Sequence, residues 1–318
     1  MSRIRLADLS AVQLEDKNNI EVLGFMVWYS IGEQLINRGT LLEYVVESGL
    51  EEGFMPAEIR IPDAFRRASK AVECRMDSSE EGVFYRYLVR EVVSDRKMIQ
   101  RNIVKETVDS KGARLRYAEK EAILVLEKEE GILRIASVTE EGNRLGQQVA
   151  SLFEQYKSHH DSRAIRSMCL SILRSMSPTS MRSSGGVYFV PSKYQEKLSQ
   201  MLQFIRLVEK GEGDLIPLIN TKESLEMVRH NAIRQINETF AKLKDAHDNP
   251  DLTAAEITAI VEDTQLAMNI VKDYREMIAG DLSKLEMSTL SFEKMLRSVQ
   301  SRKKDRKSNE TAQRQLRF

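Results

Sequence analysis

At 318 residues, with 42% hydrophobic and 30% charged side chains, the chain is long enough for two or three folding units and has the balance of a soluble protein. Lys plus Arg and Asp plus Glu number 48 each, so no bulk field steers the molecule toward polyanions, and any nucleic-acid contact has to come from local patches. Two cysteines, Cys74 and Cys169, far apart and outside any metal-ligand spacing, exclude a disulfide framework and suit a reducing cytoplasm.

The opening "MSRIRLADLSAVQLEDKNN" carries acids and no apolar run, unlike a secretory signal. From Ile20 to about Ile36 the residues Val22, Leu23, Phe25, Met26, Ile31 and Leu35 suit a buried helix. The run carries Glu21 and Glu33 and is too short for a membrane span. Gly39 then serves as a stop and Thr40 as cap of a second helix, "LLEYVVESGL". Pro62 forces an extended approach to a third helix, which Asp63 can cap and which runs through Phe65, Ala68 and Val72.

Over "GVFYRYLVREVVS", "KMIQRNIVKETVD", "ARLRYAEKEAILVLEKEEG" and "ILRIASV" the period drops toward two. Turns fall at Ser94-Asp95, Asp109 to Gly112, and Glu130-Gly131. Successive strands joined by short turns read as an antiparallel meander. Tyr85, Tyr87 and Val89 alternate with Arg86, Leu88 and Arg90, leaving one face partly charged and the other for the N-terminal helices.

Helix returns at Thr139, a weak cap before "NRLGQQVASLFEQYK", and continues in "DSRAIRSMCLSILRSM". The stretch "MRSSGGVYFVP" feeds a short strand. Ser192 then caps a helix lined by Leu198, Met201, Leu202, Ile205 and Val208, and "GDLIPLIN" is an extended insert. Thr221 opens a helix with Leu225, Val228, Ala232, Ile236, Phe240 and Leu243 along one stripe. Thr253 and Glu256 form a capping box. After it Ile257, Ile260, Thr264, Ala267, Val271, Tyr274 and Ile278 keep spacings of three and four. Beyond Gly280-Asp281, Leu282, Leu285, Thr289, Phe292, Leu296 and Val299 repeat the pattern. Such a seam has to be covered, so this end reads as a helical hairpin or coiled coil packed on the head or on a second copy. Residues 301–318, with seven Lys/Arg against two Asp/Glu, lose apolar periodicity and read as a basic tail.

The fold class expected is therefore α+β, with N-terminal helices on an antiparallel meander, then a mainly helical region ending in a hairpin. The divisions fall at 1–138 (head), 139–220 (helical, with the GGVYFV strand), 221–300 (hairpin) and 301–318 (tail). The glycine-rich stretch fails as a phosphate loop, because Ser183-Ser184-Gly185-Gly186 precedes its strand and no lysine lies within. Positive φ at a turn explains the glycines. The competing reading has Arg182 and Ser183 on a phosphate. His159-His160 cannot share a helix face as metal ligands do, and His230 and His247 stand alone, so the pair is expected to face solvent and no metal is expected. Cys169, among Met168, Leu170 and Ile172, reads as core. Arg66-Arg67, Arg86, Arg90, Arg163, Arg166 and Arg174 read first as solvated partners of the abundant glutamates. In the tail, Arg302, Lys303, Lys304, Arg306 and Lys307 are the stronger electrostatic candidates for DNA or RNA.

Asp63-Ala-Phe-Arg-Arg-Ala68, the "YLVREVV" strand from Tyr87, and Gly185-Gly-Val-Tyr-Phe-Val-Pro191, in that order, resemble an uncharacterised family of proteins carried by bacteria, phages and mobile elements, over about residues 20 to 210. The resemblance implies a prokaryotic or phage cytosol and carries over no activity and no catalytic residue. With no catalytic or cofactor motif found, the expectation is a non-enzymatic interaction or assembly protein without a cofactor. It would self-associate or dock a protein partner, such as a host defence complex, through Ile257, Ile260, Val271, Tyr274, Ile278, Leu285, Phe292 and Leu296. Contact with nucleic acid is an added role; no membrane is involved. The alternatives are a metal-dependent nucleic-acid-processing enzyme and a virion or particle structural component.

Overall fold

The computed structural model describes residues 21–182, 184–249, 251–278, 294–298 and 301. In chain order the elements begin with β1 (Val22–Ile31), β2 (Leu35–Asn37), α1 (Arg38–Glu47) and α2 (Ile61–Ala71). Next come β3 (Cys74–Asp77), β4 (Val83–Ser94), β5 (Met98–Asp109), β6 (Arg114–Glu127), β7 (Ile132–Ser137) and α3 (Glu140–Ser158). The remainder is β8 (His159–Asp161), α4 (Ser162–Arg174), β9 (Thr179–Ser180), β10 (Tyr188–Pro191), α5 (Gln195–Leu207), β11 (Gly211–Ile219), α6 (Lys222–Asp248) and α7 (Ala254–Asp273). The protein is thus a mixture of helix and antiparallel sheet. It divides into two units that do not follow chain order. One takes residues 21–32, Tyr44–Phe54 and the described residues from Ser167 on; the other takes Glu33–Glu43 and Met55–Arg166.

The second of these holds the meander. β3, β4, β5, β6 and β7 lie side by side in sequence order, every pair antiparallel. The expected turns are present, with Gly112 and Gly131 at positive φ where the reversals need it. One face of this sheet supplies Tyr87, Ile99, Ile103, Ala122, Leu124 and Leu126 to a core shared with Ala64, Phe65 and Ala68 of α2 and Leu145, Val149 and Phe153 of α3. Phe65 and Phe153 meet edge to face, ring centroids 6.1 Å apart. Burying each ring is worth about 2–3 kcal/mol. α3 is capped by the Thr139 hydroxyl, which accepts from the Gly142 amide at 3.0 Å. Gly142 has to be glycine for a steric reason: a Cβ there would lie 2.0 Å from the Glu121 carbonyl oxygen of β6.

The other unit has the sheet order β11-β1-β10-β9, all antiparallel. β1 is the correction to the sequence reading. The run expected as a buried helix from Ile20 to Ile36 is a ten-residue strand with Leu23, Phe25, Val27 and Ile31 buried. Helices cover both faces, α5 on one and α6 with α7 on the other. A strand apolar on both sides loses its alternation and imitates a buried helix. Its β-branched and aromatic content (Val22, Val27, Trp28, Tyr29, Ile31) is the signal that decides. "GDLIPLIN" forms β11, as expected of an extended insert.

Three caps also differ from expectation. Asn37 Oδ1, not Thr40, takes the first free amide of α1, from Gly39 at 2.8 Å. α2 is preceded by Arg60, with Asp63 inside its first turn and ion-paired to Arg60. Ser192 opens a short 3-10 turn ahead of α5. The capping box of Thr253 and Glu256 is present.

α6 and α7 follow one another and close on the sheet. Val228, Ala232, Ile236 and Phe240 from α6 meet Ala267, Ile270, Val271, Tyr274 and Ile278, together with Leu23 of β1 and Phe189 of β10. Tyr274 is fully buried, edge-on to Phe189 at 5.9 Å between centroids, and its hydroxyl donates to the Ser177 carbonyl at 2.9 Å. At the far end, Leu243, Ile257 and Leu296 form a second cluster with Ile260 half-buried beside them.

Candidate nucleic-acid interface

Because α2 and α3 occupy one face of the meander, the side chains of alternating parity stand on the other. Strand register fixes who stands beside whom. Arg75 of β3 is directly opposite Arg86 of β4, Arg86 is opposite Glu106 of β5, and Glu106 is opposite Tyr117 of β6. One step along, Asp77, Phe84, Val108 and Arg114 form the next row. Leu88 pairs with Val104, and Arg90 with Asn102 and then Ile123. Val104, Val108 and Asn102 are buried on this face, whereas Arg75, Arg86, Arg90, Arg114 and Tyr117 are exposed.

The electrostatics of these rows are unusual. Like charges directly opposite in an antiparallel ladder repel, so Arg75 against Arg86 costs stability unless an anion lies between or above them. The carboxylate at hand is that of Glu106, buried, with Arg86 at 3.9 Å on one side and Arg114 at 3.5 Å on the other. Arg75 has no carboxylate partner among the described residues and stacks on Phe84, its guanidinium carbon 3.7 Å from the ring centroid. Arg114 sits 5.5 Å over the Tyr117 ring. With Arg90, this half of the face carries four guanidinium groups against Glu106 and Asp77. Farther along, Arg134 is matched by Glu127 at 2.6 Å.

The other arginines singled out by sequence are engaged in the protein. Arg66 pairs with Asp63 and Glu91. Burial would raise the Glu91 carboxyl, but hydrogen bonds from Arg66 and Arg101 outweigh it and hold the group below its ordinary range. Arg67 lies 3.8 Å over the Tyr156 ring and donates to the His159 carbonyl. Arg166 pairs with Glu33, whose carboxyl the Ser162 hydroxyl and Arg166 hold low. Arg174 bridges to Asp263 at 2.7 Å and Glu262 at 3.5 Å. Arg163 adds its charge near Glu33.

The stretch around Arg182 is a turn between β9 and β10. Met181 donates to the Val187 carbonyl, Gly185 and Gly186 have φ of 103° and 63°, and the Arg182 guanidinium folds back beside Gly185. Arg182 is exposed. Ser183, Arg302, Lys303, Lys304, Arg306 and Lys307 lie outside the described residues.

Of the interface residues expected at the C-terminal end, Ile257, Val271, Tyr274, Ile278 and Leu296 are buried within this chain, Ile260 is half-buried, and Leu285 and Phe292 lie outside the described residues. The seam needed a cover, and α6 with the β1–β10 sheet supplies one.

His160 is a further correction. Expected to face solvent with His159, it is buried in β8, and the Arg38 guanidinium donates to its Nε2 at 3.0 Å. Arginine only donates, so this nitrogen accepts and the ring is neutral. Burial, then the charges of Arg38 and Arg67, push its pKa down. Cys169 is core, its thiol raised by burial to about 12 and so inert. Among the described residues there is no group of three His, Cys, Asp or Glu placed to hold a metal ion, and no helix long and apolar enough to cross a membrane.

A family model described as a family of unknown function, DUF6744, matches residues 22–305. The chain belongs to this family. The match runs from the first residue of β1 to beyond α7, so DUF6744 takes in both units and not merely the region of the three sequence segments. No curated protein and no solved structure matches the chain.

Proposed function

We propose that this DUF6744 protein is a non-enzymatic binding protein that holds nucleic-acid phosphates on the arginine-bearing face of its five-stranded sheet, working in the reducing cytosol of a bacterium that encodes it or hosts the phage or mobile element that does. The observation that carries the reading is the Arg75–Arg86 pair. Two exposed guanidinium groups are held directly opposite each other, Arg86 and Arg114 share one buried carboxylate, and Arg90 adds a fourth positive charge on the same face. A phosphate chain crossing β3 and β4 relieves the repulsion and accepts several charge-assisted hydrogen bonds. Two free cysteines, one of them buried and inert, fit a reducing compartment. A whole-molecule charge balance of zero agrees with a local patch rather than a general polyanion affinity.

The test is anisotropy of labelled oligonucleotides with the wild type and with Arg75→Gln/Arg86→Gln, over salt from about 50 to 200 mM. Both positions are solvent-exposed, so the fold survives. The double variant is expected to weaken binding to every sequence alike and to lower the slope of log K against log salt by about 1–2, depending on whether Arg75 as well as Arg86 neutralises a phosphate. No binding of any oligonucleotide at the lowest salt, or an unchanged slope, defeats the proposal.

A further inference from the structure

Resting on that reading, the geometry points to single-stranded nucleic acid as the ligand class, with bases stacked on two arginine–aromatic platforms: Arg75 on Phe84, and Arg114 on Tyr117. In the first the guanidinium carbon lies 3.7 Å from the ring centroid, and in the second Arg114 reaches over the ring at 5.5 Å. Phe84 belongs to β4 and Tyr117 to β6, with β5 between them. Two interstrand steps, with an offset of two residues along the strands, put the platforms roughly 12 Å apart on the sheet. This distance suits bases splayed from one extended strand; β5 places Val108 and Glu106 between the rings, and Arg86 on β4 and Arg114 on β6, the two cations that flank Glu106, would take the phosphates.

A duplex cannot use such platforms. Its bases are stacked inside, and reading them takes a helix or β-ribbon inserted in a groove. Here the cationic side chains stand on the inner strands β4 and β6 and on the edge strand β3, and none of the four arginines is on a helix. Unstacked bases, by contrast, bind flat sheet surfaces through aromatic rings and guanidinium planes. Tyr117, 45% exposed, offers such a surface, as do the exposed Arg75 and Arg114. Leu88, half-buried between the rows, and the aliphatic stems of Arg86 and Arg90 complete an apolar floor under a charged rim.

The test compares four labelled ligands of equal length on the full chain: single-stranded DNA, single-stranded RNA, duplex DNA, and an abasic single strand that keeps phosphates but lacks bases. Tyr117→Leu and Phe84→Leu are measured beside the wild type. DNA or RNA single strands, or both, are expected to bind at least tenfold tighter than duplex and than the abasic strand. Tyr117→Leu is expected to lose on the order of tenfold for base-bearing strands, with the salt slope unchanged, because it removes stacking and leaves every phosphate partner in place. Phe84→Leu keeps the apolar floor but not the ring, and is expected to act in the same direction. Equal binding of duplex and single strand with an arginine-dependent salt slope overturns the single-strand assignment alone. An abasic strand that binds as well as the base-bearing one, or a Tyr117→Leu protein indistinguishable from wild type, does the same. Failure of all four ligands to bind overturns this inference together with the function beneath it.

Discussion

Tyr274 decides whether the C-terminal seam is core or binding surface. Its ring is fully buried against Phe189, and its hydroxyl donates to the carbonyl of Ser177, the one described non-glycine residue at positive φ. Tyr274→Phe keeps the ring and strands that carbonyl, for a loss of about 1 kcal/mol. Tyr274→Ala removes the ring too, and truncation of a large buried aromatic costs about 3–5 kcal/mol. For a unit in the range of 150–250 residues, where each kcal/mol shifts Tm by roughly 2–4 °C, the alanine variant should melt about 6–20 °C lower. The assay is urea denaturation and thermal melting at several protein concentrations. Phenylalanine should lie near wild type, alanine far below, and every midpoint should be independent of concentration. If alanine costs under about 1 kcal/mol, or if the wild-type midpoint rises with protein concentration and the alanine midpoint does not, the ring is buried by a second copy and the reasoning is wrong.

Three further outcomes follow from other contacts. Gly142→Ala drives a methyl into the Glu121 carbonyl, a backbone atom that cannot swing aside, and should destabilise the meander unit by about 1–3 kcal/mol or more, read by denaturation followed at the sheet. At Asp273, burial favours the neutral acid, but hydrogen bonds from Lys193, Ser177 and Tyr194 at 2.5, 2.5 and 2.7 Å prevail and lower its pKa below the ordinary 3.8. The stability this contributes is fully present above pH 3.8 and is lost as pH falls through the folded-state value, so Asp273→Asn should flatten that acid limb and leave a loss of about 1.5–3 kcal/mol at neutral pH, both read from urea denaturation across pH. Thr253→Ala opens the capping box of α7 and should cost about 1 kcal/mol by the same denaturation, with most of the loss recovered in Thr253→Ser.

What the sequence discloses depends on how many faces of an element are covered. β4 has one face on helices and exposes Arg86 and Arg90 on the other, so Tyr85, Tyr87 and Val89 alternate with charge and the strand declares itself. β1 is covered on both faces, its alternation vanishes, and hydrophobic pattern alone turns it into a helix. The start of α7 is legible to the residue, because a capping box marks it, and the three-four spacing of Ile257, Thr264, Ala267 and Val271 marks its buried side; the helix ends at Asp273, earlier than the spacing through Ile278 suggests. The spacing says that a cover exists and is silent on who provides it. Val228, Ala232, Ile236 and Phe240 make a stripe of the same kind on α6, and two stripes facing one sheet satisfy each other without a second molecule.

The candidate site is hidden for a related reason. Arg86 and Arg90 are visible as the charged parity of one strand, yet one strand's arginines are ordinary solvated cations. Their meaning comes from register. A slip of one residue in the β3–β4 hairpin would send Arg75 to the α2–α3 side and leave Arg86 facing an apolar neighbour. A slip in β5–β6, where the pairing already shifts between Thr107 and Val108, would move Arg114 away from Glu106. Bulges of this kind set which side chains share a face, and their positions are not written in hydrophobic period. A binding role carried by the helical seam would have predicted exposed apolar side chains there. Ile257, Val271, Tyr274 and Ile278 are buried within the chain, so the proposed role rests on the sheet, where Arg75 and Arg86 stand opposite each other and an anionic ligand would offset their repulsion.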